Sequence, residues 1–467
     1  YITGPGTVSE RDRHYLEEAV AEAKRRNPRY PGSIFDFVRD TLLLNNIYDF
    51  DEAERGRLIE FVMQFQQISG PVMAKSVEDT TFYVYNRLTS LNEVGGNPEQ
   101  FGIGVDDFHK HNLWHREHWP HTMLALSTHD TKRGEDTRAR INVLSEMPGD
   151  WEAAIWRWAQ INAGAKTEVN GQPAPDRNDE YLLYQTLIGV WPEDGQITPE
   201  FIERITRYID KATKEAKVHT SWITANEAYD NATHHFIERC LTNAAFLADF
   251  TAFQQRTAYH GIFNSLTQSL FRLVSPGVPD TYQGCEVWNF SLVDPDNRRP
   301  VDYDRLHHQL DELTTQAEVN RLGLAQQLTH SPQDSRAKQY LTAAALHYRQ
   351  AKRALFDNGD YQPLAAYGSR AGHVCAFQRT YGDQAIIAVA PVLTLALTSG
   401  QTRPPTGDVW GDTHLLLPAN SAQQYRNVLT GEVLTPNANQ QLWLGAILSV
   451  FPVALLEAVG QGRATRQ

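Results

Sequence analysis

Two residues suited to sugar chemistry, His129 and Asp130, stand side by side directly after an apolar run that ends at Leu126. An imidazole and a carboxylate at the end of a strand can hold neighbouring sugar hydroxyls, and the carboxylate can stabilise a cationic transition state. A structural interpretation is equally open, in which Thr128 or Asp130 caps a helix whose first turn carries Glu135. The spacing alone does not separate the two.

A second candidate combines two carboxylates with three aromatic rings in one short stretch: Glu78, Asp79, Phe82, Tyr83 and Tyr85. Aromatic rings stack on the apolar faces of sugars while carboxylates accept hydrogen bonds from hydroxyls, so these residues could form a glycan subsite. The structural alternative is a capped helix with an aromatic stripe that faces the core.

Five histidines crowd between positions 109 and 121: His109, His111, His115, His118 and His121. The HExxH order is absent and no cysteine is nearby, so the pattern does not favour a metal site. We expect a loop that lines a polar pocket. The sequence also contains no GxSxG elbow, P-loop or GxGxxG fingerprint.

Helices and short apolar strands must position these candidates. Ser9 can cap a first helix, and an apolar stripe from Leu58 to Ile68 predicts another that stops at Gly70-Pro71. Short apolar runs at 72–74 and 123–126 predict buried strands that end in polar groups, and a weaker third unit follows an apolar helix and leads to Tyr282. This alternation indicates a parallel sheet covered on both faces, with polar residues at the strand ends facing the mouth of a barrel.

The periodicity divides the chain into five parts. Positions 1–145 are expected to form strand-helix units of this sheet, 146–259 a helical insertion, and 260–360 a further unit with following helices. The period changes to two over 361–458, which predicts an all-β domain with strands near Val374, Ala385 and His414 and a hairpin from Val428 to Leu434. Positions 459–467 are expected to form a tail.

The composition indicates a folded chain with an acidic balance. Of 467 residues, 41% are hydrophobic, and 43 basic against 56 acidic side chains give a formal charge of −13. We therefore expect neither nucleic acid nor a membrane as a partner. The three cysteines form no CxxC pair, and no apolar stretch is long enough to span a bilayer, so a cytoplasmic location is expected.

Three segments together resemble the maltooligosyl trehalose synthase family of the α-amylase clan, glycoside hydrolase family 13. They are GPVMAKSVEDTTFYVYNRLTSLNEVGG at Gly70 to Gly96, STHDTKRGEDTRARINVLSEMP at Ser127 to Pro148, and PGVPDTYQGCEVWNFSLVDPDNRRPVD at Pro276 to Asp302. The combination of THDTKR with SLVDPDNRRPVD is far more specific than the His-Asp pair alone.

The resemblance implies an α/β fold: the C-terminal part of a (β/α)8 TIM barrel with a large helical insertion and a C-terminal β-sandwich domain. It also implies an intramolecular transglucosylation, which converts the reducing-end α-1,4 bond of a maltooligosaccharide to an α,α-1,1 bond without a metal or organic cofactor. In this clan an Asp nucleophile and an acid/base Glu act with a third carboxylate that binds the sugar at the cleavage point.

The resemblance assigns roles to particular residues. Asp130 matches the third carboxylate and is the expected transition-state stabiliser, and His129 is its hydroxyl-binding neighbour. By looser analogy, the residues expected to line subsites around the retained glucose are Lys75, Glu78, Asp79, Phe82, Tyr83 and Tyr85. Lys132 and Arg133 are expected to orient the site.

The nucleophile and acid/base motifs, which come earlier in family members, have no match in this sequence. Because the chain also begins at Tyr1 rather than Met, we expect a C-terminal portion that is inactive alone. Its expected partners are a maltooligosaccharide substrate and the missing N-terminal half. Two alternatives stay open: a maltodextrin-binding fragment without catalysis, and another hydrolase or glucanotransferase of the clan.

Overall fold

The computed structural model describes residues 1–419 and 421–459. The predicted tail lies outside these residues, apart from its first position. The chain divides into two compact units, the first spanning Tyr1–Thr81 and the second beginning at Phe82.

The first unit is helical. Ser9 caps the first helix as predicted, because its hydroxyl accepts a hydrogen bond from the backbone N–H of Asp12. A small core of Leu42, Ile47 and Val62 joins the helices. The helices are α1 (Glu10–Arg26), α2 (Gly32–Leu42) and α3 (Glu52–Ser76), followed by a π-helical turn (Val77–Thr81).

The strand predicted at 72–74 is wrong. Helix α3 continues through Pro71 to Ser76, and both Val72 and Met73 are exposed. A short apolar run fits a buried strand and a helix segment equally well, so periodicity could not decide this case. Proline removes one helical hydrogen bond, and here it did not end the helix.

The second unit alternates helices with strands and then becomes rich in strands. Its elements in chain order are α4 (Phe82–Val84), α5 (Val105–His118), β1 (Met123–Ala125), α6 (Glu135–Asn142), α7 (Pro148–Ile161), β2 (Thr167–Val169), β3 (Gln172–Ala174), α8 (Arg177–Val190), α9 (Pro199–Ala216), α10 (Glu227–Thr242), α11 (Ala244–Val274), β4 (Val278–Asp280), α12 (Tyr303–His330), α13 (Arg336–Ala351), α14 (Arg353–Asn358), β5 (Gln362–Pro363), β6 (Ala366–Tyr367), β7 (Val374–Tyr381), β8 (Gln384–Pro391), α15 (Thr394–Leu397), β9 (His414–Leu416), β10 (Gln424–Asn427), β11 (Val433–Leu434), β12 (Gln441–Trp443), α16 (Leu444–Ile447) and β13 (Ala454–Val459).

The long helical stretch predicted between 146 and 259 is present as α7 to α10 and the start of α11. Its core is aromatic: Trp158 is fully buried among Tyr184, Phe246 and Phe250. The antiparallel hairpin β2–β3 inside this region was not predicted. Hydrophobic burial of these rings is the main force that holds the helices together.

The strands β1 and β4 pair in parallel, with Met123 opposite Val278 and Ala125 opposite Asp280. The strand predicted at 123–126 is therefore confirmed. It was also expected to be buried, and that part is wrong, because Met123 and Val278 are both exposed. The carboxyl ends of the two strands meet at one edge, so the segments that follow them start side by side.

In the six-stranded antiparallel sheet, ordered β11-β10-β13-β8-β7-β5, the central strands β7, β8 and β13 are buried on both faces over most of their length. On one face Cys375 and Phe377 pack into a core shared with α11 and α13. On the other face Ala376 and Val389 share a core with Leu415 of the three-stranded sheet β12-β9-β6. The predicted strands are confirmed. A period-two pattern does not reveal the helices that pack on one face of the sheet. The β-sandwich stays a prediction.

The clustered histidines lie mostly on helix α5, so the predicted loop is wrong. His109 is buried, and its Nδ1 lies 2.8 Å from the hydroxyl of Tyr361. Burial lowers the pKa of His109 and of His115 below the ordinary histidine value. Within the described ranges, no helix has the length and apolar character that a bilayer crossing requires.

Candidate functional site

The residues Ser127–Arg133, here called the motif loop, connect β1 to α6 at the edge where the parallel strands end. The segment after β4 leaves from the same edge. Asn297, in that segment, donates a hydrogen bond from Nδ2 to the backbone oxygen of His129 at 2.9 Å. The two segments named by the family resemblance are therefore joined directly.

Asp130 presents its carboxylate to solvent, with its side chain 56% exposed. Helix α6 begins after Gly134, so neither Thr128 nor Asp130 is its N-cap. The capping interpretation is therefore wrong, and the Asp130 carboxylate does not serve as the N-cap of α6. The nearest charge is Lys132, whose Nζ lies 3.8 Å from Oδ1 of Asp130 and whose side chain is only 3% exposed.

Three residues outside the motif loop fix its backbone. The carboxylate of Glu93 accepts hydrogen bonds from the backbone N–H groups of Lys132 and Arg133, at 2.8 and 3.1 Å. The side chain of Arg133, the last residue of the loop, is buried. Its guanidinium donates to the backbone oxygen of Thr89 and to the hydroxyl of Tyr208. These contacts give the loop a defined conformation.

A cavity of about 1040 Å³ is lined by two residues that bond to the motif loop, and by none of the residues of the loop itself. It lies between α9 and the segment after β4, and both Tyr208 and Asn297 line it. Arg204 and Asp296, also in its wall, form a two-pronged ion pair with N···O distances of 2.8 and 2.7 Å. Polar groups in an open cavity of this size are typical of a small-molecule site.

Sequence reasoning missed several of these residues. Asp296 and Asn297 were inside a segment quoted for the resemblance, yet they were given no role. Glu93 was also inside a quoted segment without a role, whereas Arg204 and Tyr208 carry no signal in the sequence, since each acts through a partner far away in the chain.

The acidic pair behind the motif loop has a different environment. Glu135 and Asp136 occupy the first turn of α6 as expected, but both are buried against Lys338 of α13. Its Nζ lies 2.7 Å from Glu135 Oε1 and 2.8 Å from Asp136 Oδ2. Although burial lowers the pKa of Lys338, the charges of Asp136 and Glu135 outweigh this and raise it above the ordinary lysine value.

The remaining predicted site residues divide between the two units. Lys75, at the end of α3, forms an ion pair with Asp79 in the π-helical turn that also holds Glu78, all in the first unit. The aromatic residues belong to the second unit with Asp130. There Phe82 and Tyr83 are buried, as the core-facing interpretation expected, whereas Tyr85 is 39% exposed.

One group among the described residues brings three potential metal ligands together: Asp176, Asp179 and His219, with ligand atoms within 4.8 Å of one another. Their polar atoms already have protein partners. His219 Nε2 lies 2.8 Å from Asp176, and the hydroxyl of Tyr229 donates to Asp179. We therefore assign no ion to this group.

Comparisons with known proteins agree with the motifs. A Mycobacterium tuberculosis protein that carries the name of a maltooligosyl trehalose synthase is 38% identical over 372 residues, which are 80% of this chain and 43% of that protein. The structure of maltooligosyltrehalose synthase from Arthrobacter ramosus superposes with a TM-score of 0.77 at 32% identity, covering 96% of this chain and 51% of that one. No family model matches the chain.

The chain is similar to maltooligosyl trehalose synthases over most of its length. It spans about half the length of the relatives it matches. A hypothetical maltooligosyl trehalose synthase from Sulfolobus tokodaii agrees, with a TM-score of 0.63 at 27% identity over 91% of this chain and 53% of that one.

Proposed function

We propose that this chain forms part of an enzyme that isomerises the reducing end of a maltooligosaccharide from an α-1,4 to an α,α-1,1 bond. One observation carries the proposal: Asp130 is exposed at the carboxyl end of a parallel strand and does not cap the helix behind it. The names of the relatives support the substrate class.

Asp130 is proposed to accept hydrogen bonds from hydroxyls of the glucose at the cleaved bond and to stabilise the positive charge that develops there. His129 binds a neighbouring hydroxyl. Lys132 and Arg133 orient the loop, which their backbone bonds to Glu93 support.

The subsite residues remain part of the proposal. Tyr85 is the best placed of the three aromatic residues, because much of its ring is exposed, whereas Phe82 and Tyr83 support the segment from the core. Lys75, Glu78 and Asp79 also stay proposed substrate-binding residues, on the family resemblance alone.

The nucleophile and the acid/base are proposed to come from a part of the enzyme that this chain does not contain. The acid protonates the bridging oxygen while the nucleophile bonds to the anomeric carbon, and the α-1,4 bond from that carbon to the oxygen breaks. The released glucose then attacks the same carbon through its own anomeric hydroxyl, which displaces the nucleophile and gives its proton to the deprotonated acid/base group. The exposed residues of β1 and β4 support this proposal, since neighbouring strands would cover them.

The test compares the chain alone with the chain joined to the portion of the Arthrobacter ramosus protein that it does not cover. Maltopentaose is the substrate, and the readout is loss of reducing ends in a product of unchanged mass. We expect conversion only by the joined protein. Conversion by the chain alone would show that the reactive carboxylates are inside it.

The substitution Asp130→Asn in the joined protein should lower turnover at least about a hundredfold, since one preorganised group aimed at transition-state charge contributes on the order of 10²–10³ in rate. Asp150→Asn is the matched control, because Asp150 is similarly exposed and also lies beside a cation, Arg256. A loss under tenfold for Asp130→Asn, or an equal loss in the control, would remove Asp130 from the mechanism. Free glucose or longer glucans would instead identify a hydrolase or a glucanotransferase.

A further inference from the structure

A second cavity lies in the helical region, in a part of the chain to which the proposed reaction assigns no role. This groove, of about 900 Å³, is formed by one face of α7 and the start of α8. Trp151, Ile155 and Trp156 are spaced along the α7 face, and Arg177 and Tyr181 come from α8. Its volume is within the range of roughly 300–1,000 Å³ that is usual for ligand sites.

The groove presents aromatic surface in a fixed arrangement. Trp156 is 54% exposed, and the guanidinium of Arg177 lies 5.7 Å from the centre of its ring. In the same groove, the Trp151 and Tyr181 rings are 5.9 Å apart, and the Trp151 indole N–H donates to the Tyr181 hydroxyl at 3.0 Å. An exposed ring in a groove that also holds a hydrogen-bonded aromatic pair suits stacking on the flat apolar face of a sugar.

The charges of the groove balance. Its charged lining residues are two acids, Glu152 and Glu180, and two bases, Lys166 and Arg177. Lys166 and Glu180 form an ion pair at 2.7 Å and both are largely buried. A balanced set of donors and acceptors suits a neutral, polyhydroxylated ligand better than a phosphate or a nucleic acid, which would need a net positive surface.

The groove is attached to the segment that carries Tyr85. Asn178, in its lining, donates from Nδ2 to the backbone oxygen of Val84 at 3.0 Å. The Tyr181 hydroxyl donates to the backbone oxygen of Arg87 at the same distance. The groove thus adjoins the backbone on both sides of Tyr85.

We infer that this groove binds a stretch of the α-1,4-glucan chain away from the reducing end, with a glucose unit stacked on Trp156. The substrate class rests on the proposed function, whereas the site itself rests on the groove. Its role is to hold long maltooligosaccharides, so it contributes to affinity and not to bond rearrangement.

The test titrates the 467-residue chain with maltoheptaose and measures heat of binding. Trp156→Ala should weaken binding at least tenfold. Trp222→Ala is the matched control, since Trp222 is 59% exposed in the same helical region and also lies beneath a cation, Lys214, but outside the groove. Trp222→Ala should change the affinity less than twofold.

A second readout keeps the test independent of how the variants fold. In the unaltered chain labelled with ¹⁵N-tryptophan, the indole N–H signal of Trp156 should shift on titration, whereas that of Trp222 should not. An unmoved Trp156 signal, or wild-type affinity in a folded Trp156→Ala chain, overturns the inference. Self-association that depends on Trp156 and is not displaced by maltoheptaose would assign the groove to a protein contact and also overturn it.

The outcomes separate this inference from the proposed reaction. If Asp130→Asn abolishes turnover in the joined protein while Trp156→Ala binds normally, the inferred glucan binding in the groove is wrong and the proposed reaction is retained. If Trp156→Ala loses binding while Asp130→Asn retains turnover, glucan binding in the groove is retained and the proposed role of Asp130 in the reaction is wrong.

Discussion

Two acidic sites only a few residues apart in the chain have opposite environments. Asp130 is exposed on the motif loop, with the nearest lysine nitrogen 3.8 Å away. Glu135 and Asp136, in the first turn of α6, are buried and share Lys338 at 2.7 and 2.8 Å. The first carboxylate is available to a ligand, and the other two are paired with one lysine inside the protein.

The difference shows that a carboxylate's role follows from its partner and not from its local sequence. All three acids belong to the same motif segment, and short-range sequence patterns do not distinguish their roles. Lys338 comes from α13, and its bond to Asp136 spans 202 positions of the chain. Because a buried carboxylate is costly without a partner, this distant lysine makes the pair structural.

The largest expected effect follows from removing that lysine. Lys338→Met leaves two buried carboxylates without a cation and should lower the free energy of unfolding by about 3–5 kcal/mol. Urea denaturation measures it. The exposed Lys110, which pairs with Asp107, provides the control, and Lys110→Met should leave the urea midpoint unchanged.

Restoring charge balance sharpens this test. The triple variant Glu135→Gln, Asp136→Asn, Lys338→Met removes the acids together with the lysine and should recover much of the lost stability. A Lys338→Met protein as stable as the unaltered chain would show that the pair is not charged in the folded state.

The next effect concerns a buried acid whose partner is a hydroxyl. Burial raises the pKa of Asp179 to about 6, although the Tyr229 hydroxyl donates to its carboxylate. The folded chain therefore keeps a proton between about pH 4 and 6 that the unfolded chain, with a pKa of about 3.9, has released. The free energy of unfolding should fall as the pH rises through this window, by up to about 3 kcal/mol.

Asp179→Asn should remove this pH dependence. The variant is expected to match the unaltered chain near pH 4 and to exceed its stability at pH 7, because the amide resembles the protonated acid. Urea midpoints at the two pH values give the comparison. Equal differences at both values would mean that Asp179 is ionised throughout.

A smaller effect is expected at the contact that holds the motif loop. Asn297→Ala removes the bond to the His129 backbone oxygen and should cost about 1 kcal/mol of unfolding free energy. A loss of 3 kcal/mol or more would give Asn297 a core role comparable with that of Lys338.

The smallest change in stability belongs to Asp130 itself. Asp130→Asn should alter the free energy of unfolding by less than about 0.5 kcal/mol, because the side chain is exposed and caps no helix. A substitution with a large effect on turnover and almost none on stability would complete the contrast with Lys338. A strongly destabilised variant would place Asp130 among the structural acids.

Local signals predicted local structure well. The cap at Ser9, the strand at 123–126, the helices between 146 and 259 and the strand from Val374 each depend on residues close in sequence. The strand predicted at 72–74 was wrong because its residue types fit either structure, and the histidines were placed in a loop because His, Asp and Asn dominate an amphipathic helix.

The candidate site was predictable only where a motif carries it. The segment with Asp130 was identified from sequence, but its supports were not, since Glu93 and Tyr208 bond to it from 40 and 75 positions away. Contacts of this kind depend on the three-dimensional arrangement of helices, and no periodicity records them. The sequence also did not decide which aromatic residues are buried, as Phe82 and Tyr83 show.

The ion pair between α6 and α13 also sets an order of events during synthesis. A ribosome that has completed Asp136 must add 202 further residues before Lys338 exists, which takes on the order of 10–40 s at about 5–20 residues per second. Until then the two carboxylates in the first turn of α6 stay hydrated, and the helix does not reach its final packed position. Nascent chains that end before α13 are therefore expected to be the ones that chaperones retain.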